Sequence, residues 1–97
     1  MKILVTAYKD SHKKLYDFCK PILVVPSLFA ESIIKEELER QKATPTYIQC
    51  EKKNIGYSSL RIREEVYNQF KGLCEYKGYA MCQALSALIE KKLNEYK

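Results

Sequence analysis

The chain has 97 residues, 46% of them hydrophobic and 30% charged, with a net charge of +5. That length suits one small domain or a module with an appended region, and that mixture argues against disorder. A core drawn from so few residues is marginal for a lone chain, so size alone favours self-association.

Residues 1–50 hold 8 basic and 6 acidic side chains, and residues 51–97 hold 9 and 6. The excess is spread along the chain, which suits a polyanionic partner without requiring one. The longest apolar run, residues 22–25, is far too short to span a bilayer, so no membrane partner is expected. Cys19, Cys50, Cys74 and Cys82 form no CxxC pair, and the one histidine, His12, lies near none of the last three in sequence. A zinc site is therefore not expected. Met1-Lys2 runs straight into strand-like residues with no signal peptide, so a cytoplasmic protein with reduced thiols is expected. No cofactor is implied.

In chain order, residues 2–8 are β-branched and apolar without a breaker and predict a strand. Residues 11–20 predict a short amphipathic helix with Leu15, Phe18 and Cys19 on one side, ended by Pro21. Residues 22–25 predict an extended or buried loop. Pro26-Ser27 starts a second helix that runs to about Lys42, and Ala43-Thr44-Pro45 breaks it. Residues 46–50 look strand-like, and residues 51–56 are a polar turn or linker. Residues 1–50 thus predict a small α/β extension, and they carry no motif that can be tied to chemistry. His12 and Cys19, seven residues or two helical turns apart, invite a thiol reading, but such a spacing alone rarely marks catalysis. Lys13, Lys14 and Lys20 read as a wet helix face.

The signal sharpens from residue 57. Tyr57-Ser58-Ser59-Leu60-Arg61-Ile62 predicts a strand with Ser58, Leu60 and Ile62 on one face and Tyr57, Ser59 and Arg61 on the other. Arg63-Glu64-Glu65 starts a helix with acids in its first turn, where the macrodipole favours them. Val66, Phe70, Leu73 and Cys74 form its apolar stripe through Lys77, although Gly72 inside it costs about 1 kcal/mol relative to Ala. Gly78 suits the left-handed residue that closes a helix. Met81, Ala84, Leu85, Leu88, Ile89, Leu93 and Tyr96 form the wide apolar face of the next helix.

Both halves contain a strand followed by two helices, which invites a tandem reading. The apolar spacings do not superpose when residues 28–38 are slid along 81–93, so the chain is read as one module, residues 57–97, behind an appended region. A lone strand followed by two helices then leaves the strand's backbone groups without partners. A second copy supplies them most simply. Two strands pair antiparallel about a two-fold axis, four helices interlock beneath them, and three outward side chains from each copy share one face. Such a ribbon fits the major groove of B-DNA.

This arrangement resembles the ribbon-helix-helix family of Arc and MetJ type repressors. The features that carry the likeness are Leu60-Arg61-Ile62 entering Arg63-Glu64-Glu65-Val66, the close at Lys77-Gly78, and Met81 opening the second helix. The resemblance implies an α+β fold with an intertwined homodimer, associating further on DNA, whose core holds Leu60, Ile62, Val66, Phe70, Leu73, Met81, Leu85, Leu88 and Ile89. It implies base contacts from Tyr57, Ser59 and Arg61. Phosphates would meet the start of the second helix at Ala80, Met81 and Cys82, where Ala80 departs from the usual Ser or Thr cap. Lys52, Lys53, Arg63 and Lys77 would add non-specific phosphate contacts.

The function expected is a double-stranded DNA-binding transcriptional regulator, a repressor. The alternatives are an antitoxin or a plasmid partition or relaxosome accessory protein, in which residues 1–50 bind a protein partner. A winged-helix binder, with residues 46–50 paired to residues 57–62, is a third. No carboxylate pair, nucleophile–base arrangement or phosphate loop appears, so no catalytic residue is expected. The groove reading fails if residues 57–62 are helical, or pair only within their own chain without a symmetric neighbour.

Overall fold

A computed structural model describes residues 1–45 and 47–96. The order of elements is β1 (Lys2–Tyr8), α1 (Lys9–Cys19), α2 (Pro26–Ala43), β2 (Tyr57–Arg63), α3 (Glu64–Lys77) and α4 (Met81–Asn94). The fold is α+β, with one two-stranded antiparallel sheet and four helices among the described residues.

The sheet corrects the sequence reading. β2 draws its hydrogen-bonding partner from β1 of its own chain, in the register Lys2↔Arg63, Val5↔Leu60 and Tyr8↔Tyr57. The backbone demand that called for a second copy is met internally, because residues 2–8 form a strand as long as β2. Residues 47–50 carry no strand, so the winged hairpin is absent; Thr46 lies outside the described residues. Ile48 is instead a buried plug, its N–H donating to Tyr79 Oη at 2.9 Å.

The chain is a tandem repeat. β1, α1 and α2 start at residues 2, 9 and 26, and β2, α3 and α4 start at 57, 64 and 81, each 55 residues later. The same offset carries Lys2↔Arg63 onto Tyr57↔Tyr8, which places an approximate two-fold axis through Val5 and Leu60. Capping bonds obey it too. Lys9 N–H donates to Gly56 O at 3.0 Å and Glu64 N–H to Met1 O at 3.1 Å. Val24 N–H reaches Cys19 O and Tyr79 N–H reaches Cys74 O. The turn between helices passes through a left-handed residue in both halves: Gly78 at φ 77 and, against type, Leu23 at φ 57.

The halves interlock. α2 packs on β2 and α3, while α4 packs on β1 and α1, so each second helix covers the other half's strand. One core results, holding Val5, Leu15, Ile33 and Ile34 with Leu60, Ile62, Val66, Phe70, Leu85, Leu88 and Ile89. Of the residues expected in a dimer core, Leu73 and Met81 are only half-buried, and the rest are buried within this one chain. The loop at residues 22–25 is exposed rather than buried, with Leu23 91% accessible. Among the described residues, no helix is long and apolar enough to cross a membrane.

Two further bonds tie the strand ends to the crossing helices. Tyr8 N–H donates to Ser86 Oγ at 2.8 Å, and Arg63 N–H to Glu31 Oε1 at 2.7 Å. Tyr8 and Arg63 are equivalent under the 55-residue offset, and so are Glu31 and Ser86. A strand that ends as its chain turns into a helix leaves one N–H facing the covering helix. In both halves a buried polar side chain meets it.

Candidate nucleic-acid interface

Strand alternation divides the ribbon cleanly. Ile3, Val5 and Ala7 with Ser58, Leu60 and Ile62 face the helices. The other face carries Lys2, Leu4, Thr6 and Tyr8 opposite Arg63, Arg61, Ser59 and Tyr57. Lys2, Leu4, Tyr57, Ser59, Arg61 and Arg63 are exposed, and Thr6 is half-buried. The three strand residues expected at base edges, Tyr57, Ser59 and Arg61, therefore share one accessible face. The first half adds Lys2, Leu4 and Thr6, which sequence reasoning left unassigned. Their alternation with Ile3, Val5 and Ala7 was the available signal.

The side chains suggested for phosphates are spread over different settings. Arg63 is held by Glu31, Nε to Oε2 at 3.2 Å. Burial pushes the Glu31 carboxyl up, but the hydrogen bonds and charge of Arg63 outweigh it and hold the group below the usual glutamate range. Lys53 Nζ lies 2.7 Å from Asp10 Oδ2. Their hydrogen bond raises the lysine's pKa and lowers that of the aspartate. Lys53 N–H also donates to Tyr8 Oη at 3.0 Å, which pins the linker over that end of the ribbon and buries Tyr8. Lys52 is exposed, and Lys77 lies 6.0 Å from the Tyr76 ring centroid.

α4 begins at an exposed Ala80 in extended conformation, without a side-chain cap, and Met81 and Cys82 are half-buried behind it. Ala84 N–H is the first to close on the helix, to Ala80 O at 2.9 Å. The amides of Met81, Cys82 and Gln83 precede that bond in the first turn. α2 starts alike at Val25, but Pro26 removes one donor.

Three of the thiols are held in the protonated form by burial. Burial raises the pKa of Cys19 and Cys50, and pushes Cys74 up to about 12. His12 stacks on Tyr16 with centroids 4.4 Å apart. Among the described residues, no group of three or more His, Cys, Asp or Glu side chains could hold a metal ion.

Comparison with protein-family models, curated proteins and solved structures found no match to this chain.

Proposed function

We propose that the chain is a sequence-specific double-stranded DNA-binding protein, a transcriptional regulator that lays the β1–β2 ribbon in the major groove. The observation that carries this is the ribbon's outer face, open along its length except at Tyr8, where the linker at Lys53 covers it. All four helices pack behind it, while alternate side chains of base-reading type stand exposed in front. The major groove is wide enough for a two-stranded ribbon, and Arg, Ser and Tyr are suited to base edges. A net charge of +5 supports attraction to a phosphate backbone.

In this reading Arg61 chelates a guanine through O6 and N7, Ser59 donates or accepts, and Tyr57 offers its hydroxyl and ring. The amides at the start of α4 take a flanking phosphate, as the ribbon-helix-helix resemblance implies. Lys52 adds a non-specific contact. Lys53 and Arg63, already ion-paired, contribute less than two free cations would. Residues 57–63 pair within their own chain, but β1 is related to β2 by the 55-residue offset and so stands as the pseudo-symmetric neighbour the groove reading needs; a homodimer is not needed to complete the ribbon.

An anisotropy titration against a selected DNA site tests the proposal. Arg61→Ala should weaken binding by about 1–3 kcal/mol and relax preference at one base pair. Binding of the selected site by Arg61→Ala as tight as that of the unmodified protein would remove strand readout.

A second reading, protein capture by the first half, is favoured by the exposed apolar turn Ile22, Leu23, Val25 and Leu28. Co-purification of a stoichiometric partner, lost on Leu23→Ser with Leu28→Ser, would support it.

A further inference from the structure

The two ends of the ribbon differ in chemistry. Along its outer face, the cross-strand pairs in order are Lys2 with Arg63, Leu4 with Arg61, Thr6 with Ser59, and Tyr8 with Tyr57. The strand residues of one end are thus three cations and a leucine, and those of the other are four hydroxyls, with the ion-paired Lys53 of the linker lying beside Tyr8. The backbone of one end maps onto the other through the 55-residue offset, yet no outward pair maps onto a like pair. Arg61 has its equivalent in Thr6, Ser59 in Leu4, and Tyr57 in Lys2.

A ribbon made by two identical chains presents the same side chains to both halves of its site, so it favours an inverted repeat. Here the two strands are separate stretches of one sequence, and nothing ties their outward residues together. We infer that this protein reads a short, non-palindromic DNA site in one fixed orientation, one chain per site. This rests on the DNA-binding reading above and adds polarity to it.

The side chains define what each end takes. At the cationic end Arg61 matches guanine O6 and N7, and Lys2 can reach a guanine or a phosphate. Leu4 stands directly across from Arg61 and is 54% exposed, which offers an apolar contact to a thymine methyl. Arg63 is partly neutralised by Glu31, so Arg61 and Lys2 are the stronger positive groups on that end. At the other end Thr6 and Ser59 are hydroxyls that accept or donate, and the Thr6 methyl and Tyr57 ring tolerate a thymine. Tyr8 is buried with its Oη taken by Lys53 N–H, so it makes no demand on the DNA. The site should therefore have a guanine-containing end under Leu4 and Arg61, and a less discriminating end under Thr6 and Ser59.

The test is selection from a random duplex pool by the full chain, followed by titration of the selected site and its two symmetrised derivatives, each made by repeating one half as an inverted repeat. Native mass spectrometry gives the stoichiometry. The inference expects an asymmetric motif, one chain bound, and both symmetrised sites weaker, with about a 5- to 150-fold loss where the Arg61 guanine is replaced. Arg61→Ala should relax base preference at the guanine end only, and Ser59→Ala at the other end only. A symmetric motif, two chains per site, or a symmetrised duplex bound as tightly as the selected one overturns fixed polarity while leaving DNA binding intact. A pool without enrichment removes the DNA-binding reading, and this inference with it.

Discussion

The first strand–helix–helix unit and the second share a backbone and almost no side chains. Among equivalent described positions, the residue is the same only at Cys19/Cys74, Ile34/Ile89 and Leu38/Leu93. Elsewhere, one structural need is met by two chemistries. Leu15 and Phe70 fill equivalent places in the core, both fully buried. Glu31 and Ser86 each accept the last strand N–H of the other half. Leu23 and Gly78 each make the left-handed turn. The difference teaches that the repeat is maintained by hydrogen-bond accounting and burial, which constrain an acceptor, a volume or a φ value rather than a residue type.

The largest expected effects come from the core pair. Phe70→Ala should cost about 3–5 kcal/mol and Leu15→Ala about 2–5 kcal/mol in urea unfolding, because both leave a cavity in one shared core. A cooperative single transition in both variants is expected. Loss of structure in one half alone, seen by hydrogen exchange, would break the picture of interlocked units.

Next in size are the strand-end acceptors. Ser86→Ala, which leaves the buried Tyr8 N–H unmet, and Glu31→Ala, which leaves the part-buried Arg63 N–H and guanidinium without their acceptor, should each cost about 1–3 kcal/mol. Glu31→Gln keeps an oxygen in place and should recover most of that loss. The two acceptor sites should then differ on acidification, because only Glu31 titrates. Glu31, Asp10 and Glu90 all have folded pKa values below the ordinary 3.8 for Asp and 4.5 for Glu. For Glu90, burial raises the pKa but hydrogen bonds from Lys14 and Ser11 outweigh it. A carboxyl lowered by folding adds stability above its unfolded pKa and loses it as pH falls through the folded value. Stability should therefore be flat above about pH 5 and fall below it, with Glu31→Gln reducing the slope and Ser86→Ala leaving it unchanged. Equal slopes in all three proteins would show that Glu31 serves only as a neutral acceptor.

The smallest effects sharpen the comparison at the turns. Gly78→Ala should cost about 1 kcal/mol, since its φ of 77 suits glycine. Leu23→Gly should instead be neutral or stabilising by up to about 1 kcal/mol, because Leu23 is exposed and held in the left-handed region. Opposite signs at equivalent positions, read from thermal midpoints, are the expected result. A loss on Leu23→Gly would mean that the leucine side chain makes a contact of its own.

Most of the local structure was legible in the sequence. The strand at residues 2–8, the helix start at Pro26, the strand from Tyr57 and the left-handed Gly78 all follow from propensity and capping rules, and the structure bears them out. The repeat showed in the order of elements, a strand and two helices in each half, but was set aside because the side chains do not align, for physical reasons. At the 55-residue offset the buried Ser86 meets a buried Glu31, and Val66 meets Ser11, so hydrophobicity fails to align where burial does. The turn signal failed as well, with Leu23 standing where glycine is expected. Sliding residues 28–38 along 81–93 also missed the true alignment, since Leu28 is exposed and pairs with Gln83. With the repeat set aside, β2 was given a partner from another molecule, and half of the outward face went unassigned. Tyr57, Ser59 and Arg61 were legible because alternation along a strand needs no knowledge of its neighbour.

The claim on which the rest depends is that one chain builds both strands of the ribbon. Isotope-filtered NMR on an equal mixture of labelled and unlabelled protein tests it directly. Cross-strand nuclear Overhauser effects between Val5 and Leu60 should appear in the ordinary spectrum and be absent from the one that selects contacts between labelled and unlabelled chains. Their presence in the second spectrum would show that the ribbon forms between two molecules, and would contradict the internal pairing.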